Sequence, residues 1–407
     1  MAAFAGDALG LYISVPFCRS KCTYCNFASG VYPVSEHARY ADRLIGDMAA
    51  ARTWTELMGV ELPRRVDTVY LGGGTPSLLA PELIARLFAA MRAEFDLEPD
   101  AEITVECAPG QLADETLDAL AAAGVSRVSL GVQSFIDREA ATSGRLHSRA
   151  VALDDIRRLR KAGIANLSVD LIAGLAGQTF ASWEESLAVL ASSGVPHASV
   201  YMLEVDEDSR LGREVLAHGA RYHAELVPTD DAIAQMYERA IESLKLAGLE
   251  QYEISNFCQP GMESRHNLRY WQRRPYLGLG LDASSMLREA QAQNGRVLRW
   301  TTTDEMKAYL AGADLAETTW LSPAQQHEEA WFLGLRLNTG VDVAALEREF
   351  GRAMAASALK AAERLAEAGL VTSDGKTVRL TARGRLLSND VFQEFLGLNA
   401  GEVVPSQ

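Results

Sequence analysis

Three cysteines fall within eight positions near the start of the chain, Cys18, Cys22 and Cys25, in the spacing C-x3-C-x2-C. Thiolates are soft donors that suit an iron–sulfur cluster or zinc. A structural zinc site wants a fourth Cys or His nearby. The next candidate is His37, and no second cysteine pair follows. Three ligands on a cluster leave one iron open, and an open iron can chelate the amino and carboxylate groups of a small molecule. Zinc and a merely buried group of cysteines are the competing readings.

Other residues could serve such a site. Gly72, Gly73 and Gly74 end the run VDTVYL and leave it bare, so that backbone can approach a ligand closely, and Thr75 adds a hydroxyl. Glu106 and Asp170 each end an apolar run, where a carboxylate is costly unless it faces a polar site or an ion-pair partner. His266 is either a metal-binding imidazole or an ordinary hydrogen-bonding residue.

The elements that must position these residues follow a repeated pattern. A helix closes on a small residue plus Gly, and a β-rich run begins at once: at Gly124, Gly163, Gly194 and Gly248. With LYISV at Leu11, VDTVYLGG at Val66 and AEITVEC at Ala101, this predicts six or seven strands alternating with helices. Such alternation implies an α/β fold with a parallel sheet, buried on both faces. A partial or complete (β/α) barrel fits, with its site at the strands' C-terminal ends. After residue 300 the style changes: helical patterns over Glu328 to Asn338 and Ala355 to Ala368, then a hairpin around Asp374-Gly375. The expected division is a barrel over 1–300 and a small winged-helix-like α+β unit over 301–407. Acidic residues throughout its helices favour a lid or docking role over DNA binding.

The 407 residues carry a formal charge of -15 and five cysteines. That balance disfavours a nucleic-acid partner, and five cysteines so placed are no secreted disulfide framework. No apolar run is long enough to span a membrane. The opening MAAFAGDALG lacks the marks of an export signal, so the cytoplasm is expected.

With Tyr24 just before the third cysteine and GGGTPS at Gly72 to Ser77, the array resembles the radical S-adenosylmethionine superfamily. LYISVPFC at Leu11, TVECAPG at Thr104, GVQSF at Gly131, GRLHS at Gly144, SVDLIAG at Ser168, YEISNF at Tyr252 and HNLRYW at His266 are similar to its HemN/HemW branch. The resemblance implies a 4Fe-4S cluster on Cys18, Cys22 and Cys25. It places Tyr12, Tyr24, Gly73, Gly74, Thr75, Glu106, Gln133, Arg145 and Asp170 around S-adenosylmethionine. It makes His266 the candidate axial ligand of heme, with Tyr270 and Trp271 against the porphyrin and YEISNF nearby. Reduction of bound S-adenosylmethionine to a 5'-deoxyadenosyl radical is the chemistry this superfamily supplies.

Two activities compete within the branch, coproporphyrinogen III dehydrogenase and heme chaperone. The dehydrogenase carries a fourth cysteine two residues after the third and an extension before the cluster, whereas here Phe27 stands at that position and the array begins at residue 18. Both features favour the chaperone, and a cluster-bearing structural subunit is the third reading. A chaperone implies heme and a heme-acceptor protein as partners, with any membrane contact peripheral and made through the acceptor, and a monomer or dimer. Two departures stand out: Ser284 in GLGLDASS where relatives carry His, and Ala108 where they often carry Asn.

Overall fold

Six strands lie side by side in chain order: β1 (Leu9–Val15), β2 (Arg65–Gly73), β3 (Asp96–Cys107), β4 (Arg127–Gln133), β5 (Asn166–Ala173) and β6 (His197–Met202). Each pairs in parallel with the next. The computed structural model describes residues 8–290, 295–312 and 315–398. The stretch read as lacking an export signal therefore lies, as far as residue 7, outside the described residues.

Alternation along each strand sorts the two faces. Leu9, Leu11, Ile13 and Val15 of β1 enter the main core, while Tyr12 on the other face is half-buried. The helices that cross between strands include Val34–Leu57, Pro81–Glu94, Arg149–Lys161 and Phe180–Ser193, whose buried residues Leu44, Phe88, Ile156 and Leu187 join that core. Gly124, Gly163, Gly194 and Gly248 all take positive φ, at 84, 89, 65 and 81°, as left-handed helix ends require.

The barrel is partial. The seventh run, LEQYEIS, yields only β7 (Glu250–Gln251), antiparallel to β8 (Asn256–Cys258), which itself runs antiparallel to β6. On the opposite side β9 (Tyr276–Leu279) joins β1 in parallel, and β10 (Ser284–Arg288), β11 (Val297–Thr302) and β12 (Leu315–Leu321) extend the sheet antiparallel. β12 and β7 are its two free edges. The large sheet thus runs to Leu321, beyond the change of style after residue 300.

A second core forms around Trp331, Leu335, Ala358, Leu365, Val378 and Phe395. Its helices include Pro323–Arg336 and Arg352–Glu367, and its sheet has β15 (Thr377–Leu380) between β13 (Val341–Asp342) and β14 (Val371–Ser373). The first of these helices starts earlier than the apolar pattern suggests because Ser322 caps it with Gln325 in a reciprocal box. The hairpin turns at Asp374, whose Oδ1 accepts from the amides of Lys376 and Thr377.

YEISNF forms a joint between these units. The Asn338 amide donates to the Tyr252 carbonyl at 3.0 Å, Glu253 bridges to Leu337, and Arg336 lies 3.7 Å from the buried Glu253 carboxylate. Among the described residues no helix is long and apolar enough to cross a membrane.

Candidate cluster and cofactor site

β1 ends at Val15, and the chain turns into the cysteine loop. Backbone bonds hold that loop: Cys18 N to Gly30 O at 2.9 Å, Gly30 N to Pro16 O at 2.9 Å and Thr75 N to Phe17 O at 2.8 Å. Its far side is tied by Thr23 N to Ser143 O at 3.0 Å and Leu211 N to Thr23 O at 2.8 Å. Gly74 is obligatory here, since a Cβ would lie 2.6 Å from the Val15 carbonyl and 2.9 Å from the Phe17 amide.

All three cysteines are free, Cys22 buried and Cys18 and Cys25 half-buried. Each sulfur has a polar neighbour: Thr75 Oγ1 at 3.9 Å from Cys18, Arg145 Nη1 at 3.6 Å from Cys22, and Ser29 Oγ at 3.8 Å from Cys25. Burial pushes the Cys18 thiol up, against the lowering effect of the Ser29 and Thr75 hydroxyls beside it. Among the described residues no three Cys, His, Asp or Glu side chains are gathered as ligands of a single ion. Tyr24 sits by Arg145 and Cys22, and its burial drives the phenol's pKa up.

Beside the loop the sheet presents a polar face. The rings of Tyr12 and Tyr70 stack at 6.1 Å, and Tyr70 donates to Glu106 Oε1 at 2.8 Å. Asp170 accepts from Ser129 Oγ at 2.9 Å and Ser168 Oγ at 3.3 Å. At Gly73 an added Cβ would stand 3.3 Å from the Tyr12 hydroxyl. Gln133 ends β4 at φ 68°, a strained left-handed backbone, and its buried Oε1 has no hydrogen-bond partner among the described residues. Arg145 donates to the Gly131 carbonyl beside it. An orphaned buried amide oxygen flanked by a guanidinium fits a missing polar ligand.

Burial, with Asp170 adding repulsion, raises the Glu106 carboxyl to about 7, and burial also raises Asp170. Between the ordinary glutamate value of 4.5 and about 7 the folded state holds a proton that the unfolded state has lost, so stability falls as pH rises through this window. Glu106→Gln removes that slope. Its stability relative to the parent is expected to increase from pH 4.5 to about 7 and then level off, checked by urea unfolding across pH without cofactor. A constant difference would refute the assignment.

A cleft of about 300 Å³ opens between this face and the other edge, lined by Tyr12, Phe27, Gly73, Tyr270, Tyr276, Asp282 and Ser284 among others. Phe27, in place of a fourth cysteine, is 64 % exposed there. Ser284 also lines the cleft, sharing a hydrogen bond with Thr301 at 3.0 Å. His266, the candidate axial ligand, lies on the short helix Arg265–Trp271. The ring is buried at 1 % exposure, Nδ1 is bonded to Thr68 Oγ1 at 3.0 Å and Nε2 to the Tyr270 hydroxyl at 2.9 Å. Burial, aided by the Arg269 charge, lowers its pKa to about 3. Tyr270 is the motif residue that faces the cleft, while Trp271 packs under the Arg336 guanidinium at 4.2 Å.

Arg269 anchors the same short helix, Arg265–Trp271. Fully buried, it donates to the carbonyls of Ala8 and Pro275 at 2.8 Å, to Thr68 Oγ1 at 3.1 Å and to Asp67. Sequence reasoning missed this hub, as well as Tyr70, Ser129 and Asp282. Strand alternation would have put Tyr70 on the Tyr12 face; nothing local marks Arg269.

The radical SAM superfamily model matches residues 12–190, and the HemN C-terminal domain model matches 321–387. The heme chaperone HemW of Lactococcus lactis is 34% identical over 386 residues, covering 95% of this chain and 96% of its own. The chain belongs to the HemW family of radical S-adenosylmethionine proteins. HemW of Mycobacterium tuberculosis is 35% identical over 406 residues, 98% of this chain and 97% of its own. Membership of the superfamily implies a 4Fe-4S cluster and S-adenosylmethionine. The fold is also that of coproporphyrinogen III oxidase (HemN) from Escherichia coli, with a TM-score of 0.82 at 24% identity, covering 97% of this chain and 91% of that one.

Proposed function

We propose that this protein is a cytoplasmic heme chaperone that binds heme and passes it to acceptor proteins. The likeness to relatives named heme chaperones, which extends over nearly the whole chain, carries this reading. Phe27 at the position of the dehydrogenase's fourth cysteine supports it. Cys18, Cys22 and Cys25 hold the cluster in this reading. Tyr12, Tyr24, Gly73, Gly74, Thr75, Glu106, Gln133, Arg145 and Asp170 hold S-adenosylmethionine.

Held by Cys18, Cys22 and Cys25, the cluster would supply single electrons to the bound S-adenosylmethionine. The chain's own residues do the rest. Gly73 and Gly74 let backbone reach the ligand, the orphaned Gln133 amide accepts one of its polar hydrogens, and the Glu106 carboxyl, near neutral pH in its titration, ionises beside an incoming cation. Tyr12 and Phe27 line the cleft beside them.

The test is anaerobic incubation of the cluster-reconstituted protein with heme and, separately, with coproporphyrinogen III, S-adenosylmethionine being present in both. Stoichiometric heme binding without porphyrinogen turnover is the expected result. Protoporphyrinogen IX formation would make the protein a dehydrogenase that tolerates Phe27, and binding of neither would leave a structural subunit.

A further inference from the structure

The imidazole of His147 is enclosed, at 8 % exposure, and neither of its ring nitrogens has a hydrogen-bond partner among the described residues. The Val132 carbonyl comes near the ring without meeting hydrogen-bond geometry. An enclosed polar group left unmet is costly, and native folds keep few of them without a use.

The segment that carries His147 aims it at the end of β4. Between Gly144 and the helix Arg149–Lys161, Leu146 is 63 % exposed while Arg145 is half-buried and His147 buried, so these two turn inward together. The Arg145 guanidinium spans from the cysteine loop to β4: Nη1 lies 3.6 Å from Cys22 Sγ, and Nη2 donates to the Gly131 carbonyl. A Cβ on Gly131 would stand 3.0 Å from Arg145 Nη2 and 3.1 Å from Gln133 Nε2. Gln133 Oε1 is itself orphaned, so this end of β4 gathers three unmet polar atoms, two on His147 and one on Gln133. The loop after β3 closes the other side, where a Cβ on Gly110 would lie 3.9 Å from His147 Cβ.

The chemistry of these atoms selects what they meet. Burial, with the Arg145 charge adding to it, lowers the His147 pKa to about 4. At neutral pH the ring therefore offers one N–H donor and one bare nitrogen acceptor, and Gln133 Oε1 adds a second acceptor. The methionyl end of S-adenosylmethionine carries an ammonium and a carboxylate, which suit an open iron and backbone at Gly73 and Gly74. The nucleoside end is uncharged. Its ribose hydroxyls both donate and accept, and its adenine edge sets an amino donor beside a ring-nitrogen acceptor. We infer that His147 is a further recognition residue for S-adenosylmethionine, holding the nucleoside end together with Gln133. The inference deepens the cofactor reading and rests on it.

The test is equilibrium dialysis of labelled S-adenosylmethionine against the full-length, cluster-reconstituted protein, parent and His147→Phe, with urea unfolding of both in the absence of ligand. Phenylalanine keeps a planar ring and removes both nitrogens, so stability without ligand should hold or rise. The Kd for S-adenosylmethionine should rise on the order of 10-fold, the scale of two lost hydrogen bonds. 5'-Deoxyadenosine, used as a competing probe, should weaken by the same factor, and L-methionine should be unaffected. His147→Gln, which keeps a donor and an acceptor, should restore most of the affinity. Parent-like affinity in His147→Phe, an equal loss for L-methionine, or unfolding of His147→Phe would overturn the role of His147 while leaving the cofactor site in place. Failure of the parent protein to bind S-adenosylmethionine would overturn the cofactor reading itself.

Discussion

The variant with Cys18, Cys22 and Cys25 all replaced by alanine is expected to emerge from anaerobic reconstitution without bound iron and without the broad visible absorbance of a cluster. The three sulfurs are the soft donors of the loop, and the two remaining cysteines stand apart from it: Cys107 ends β3, and Cys258 pairs with Glu250 and His197 in the edge strands. Burial drives the thiols of both up to about 12, so neither supplies a replacement thiolate. Iron analysis and the visible spectrum provide the readout. Iron retained at the parent level would overturn the cluster assignment. The folded state should persist, because the backbone bonds at Cys18, Thr23, Gly30 and Thr75 need no metal.

The second large effect is expected from Arg269→Met. Methionine matches the stem but leaves Asp67, Thr68 Oγ1 and the carbonyls of Ala8 and Pro275 without their shared donor. Breaking a buried ion pair from one side costs about 3–5 kcal/mol. Arg274, 2.9 Å from the second Asp67 oxygen, keeps part of that charge compensated and sets the value toward the lower end. Urea unfolding measures it, and a loss below ~1 kcal/mol, the scale of an exposed pair, would refute the role. Because Arg269 fixes the helix that carries His266 and Tyr270, the same variant should loosen one wall of the cleft.

The sequence makes the six barrel strands plain, since each holds an apolar run, three of them announced by a helix-ending glycine and two bounded by the cysteine loop and GGGTPS. It does not make β8 to β12 plain. These are short, interrupted by Gly278 and Gly280, and depend on pairing with distant strands for their existence. Motif position located the cysteine loop, Glu106, Gln133, Arg145 and Asp170 on neighbouring elements, and the structure brings them onto one side of the sheet. His266 and YEISNF show the limit. Both hold polar residues whose packing against Thr68 and Asn338 no local pattern announces. A seven-residue helix carries too little periodicity to reveal which side turns inward.

The cysteine loop is clamped at both flanks by peptide hydrogen bonds, and this separates assembly of the inorganic centre from folding of the polypeptide. A zinc finger collapses when its ion is removed because the ion supplies its folding energy. Here chelators or oxygen would strip the iron and leave a shaped, empty socket. Reloading would then be a local event, repeatable over the lifetime of one polypeptide and limited by the supply of iron and sulfide rather than by refolding.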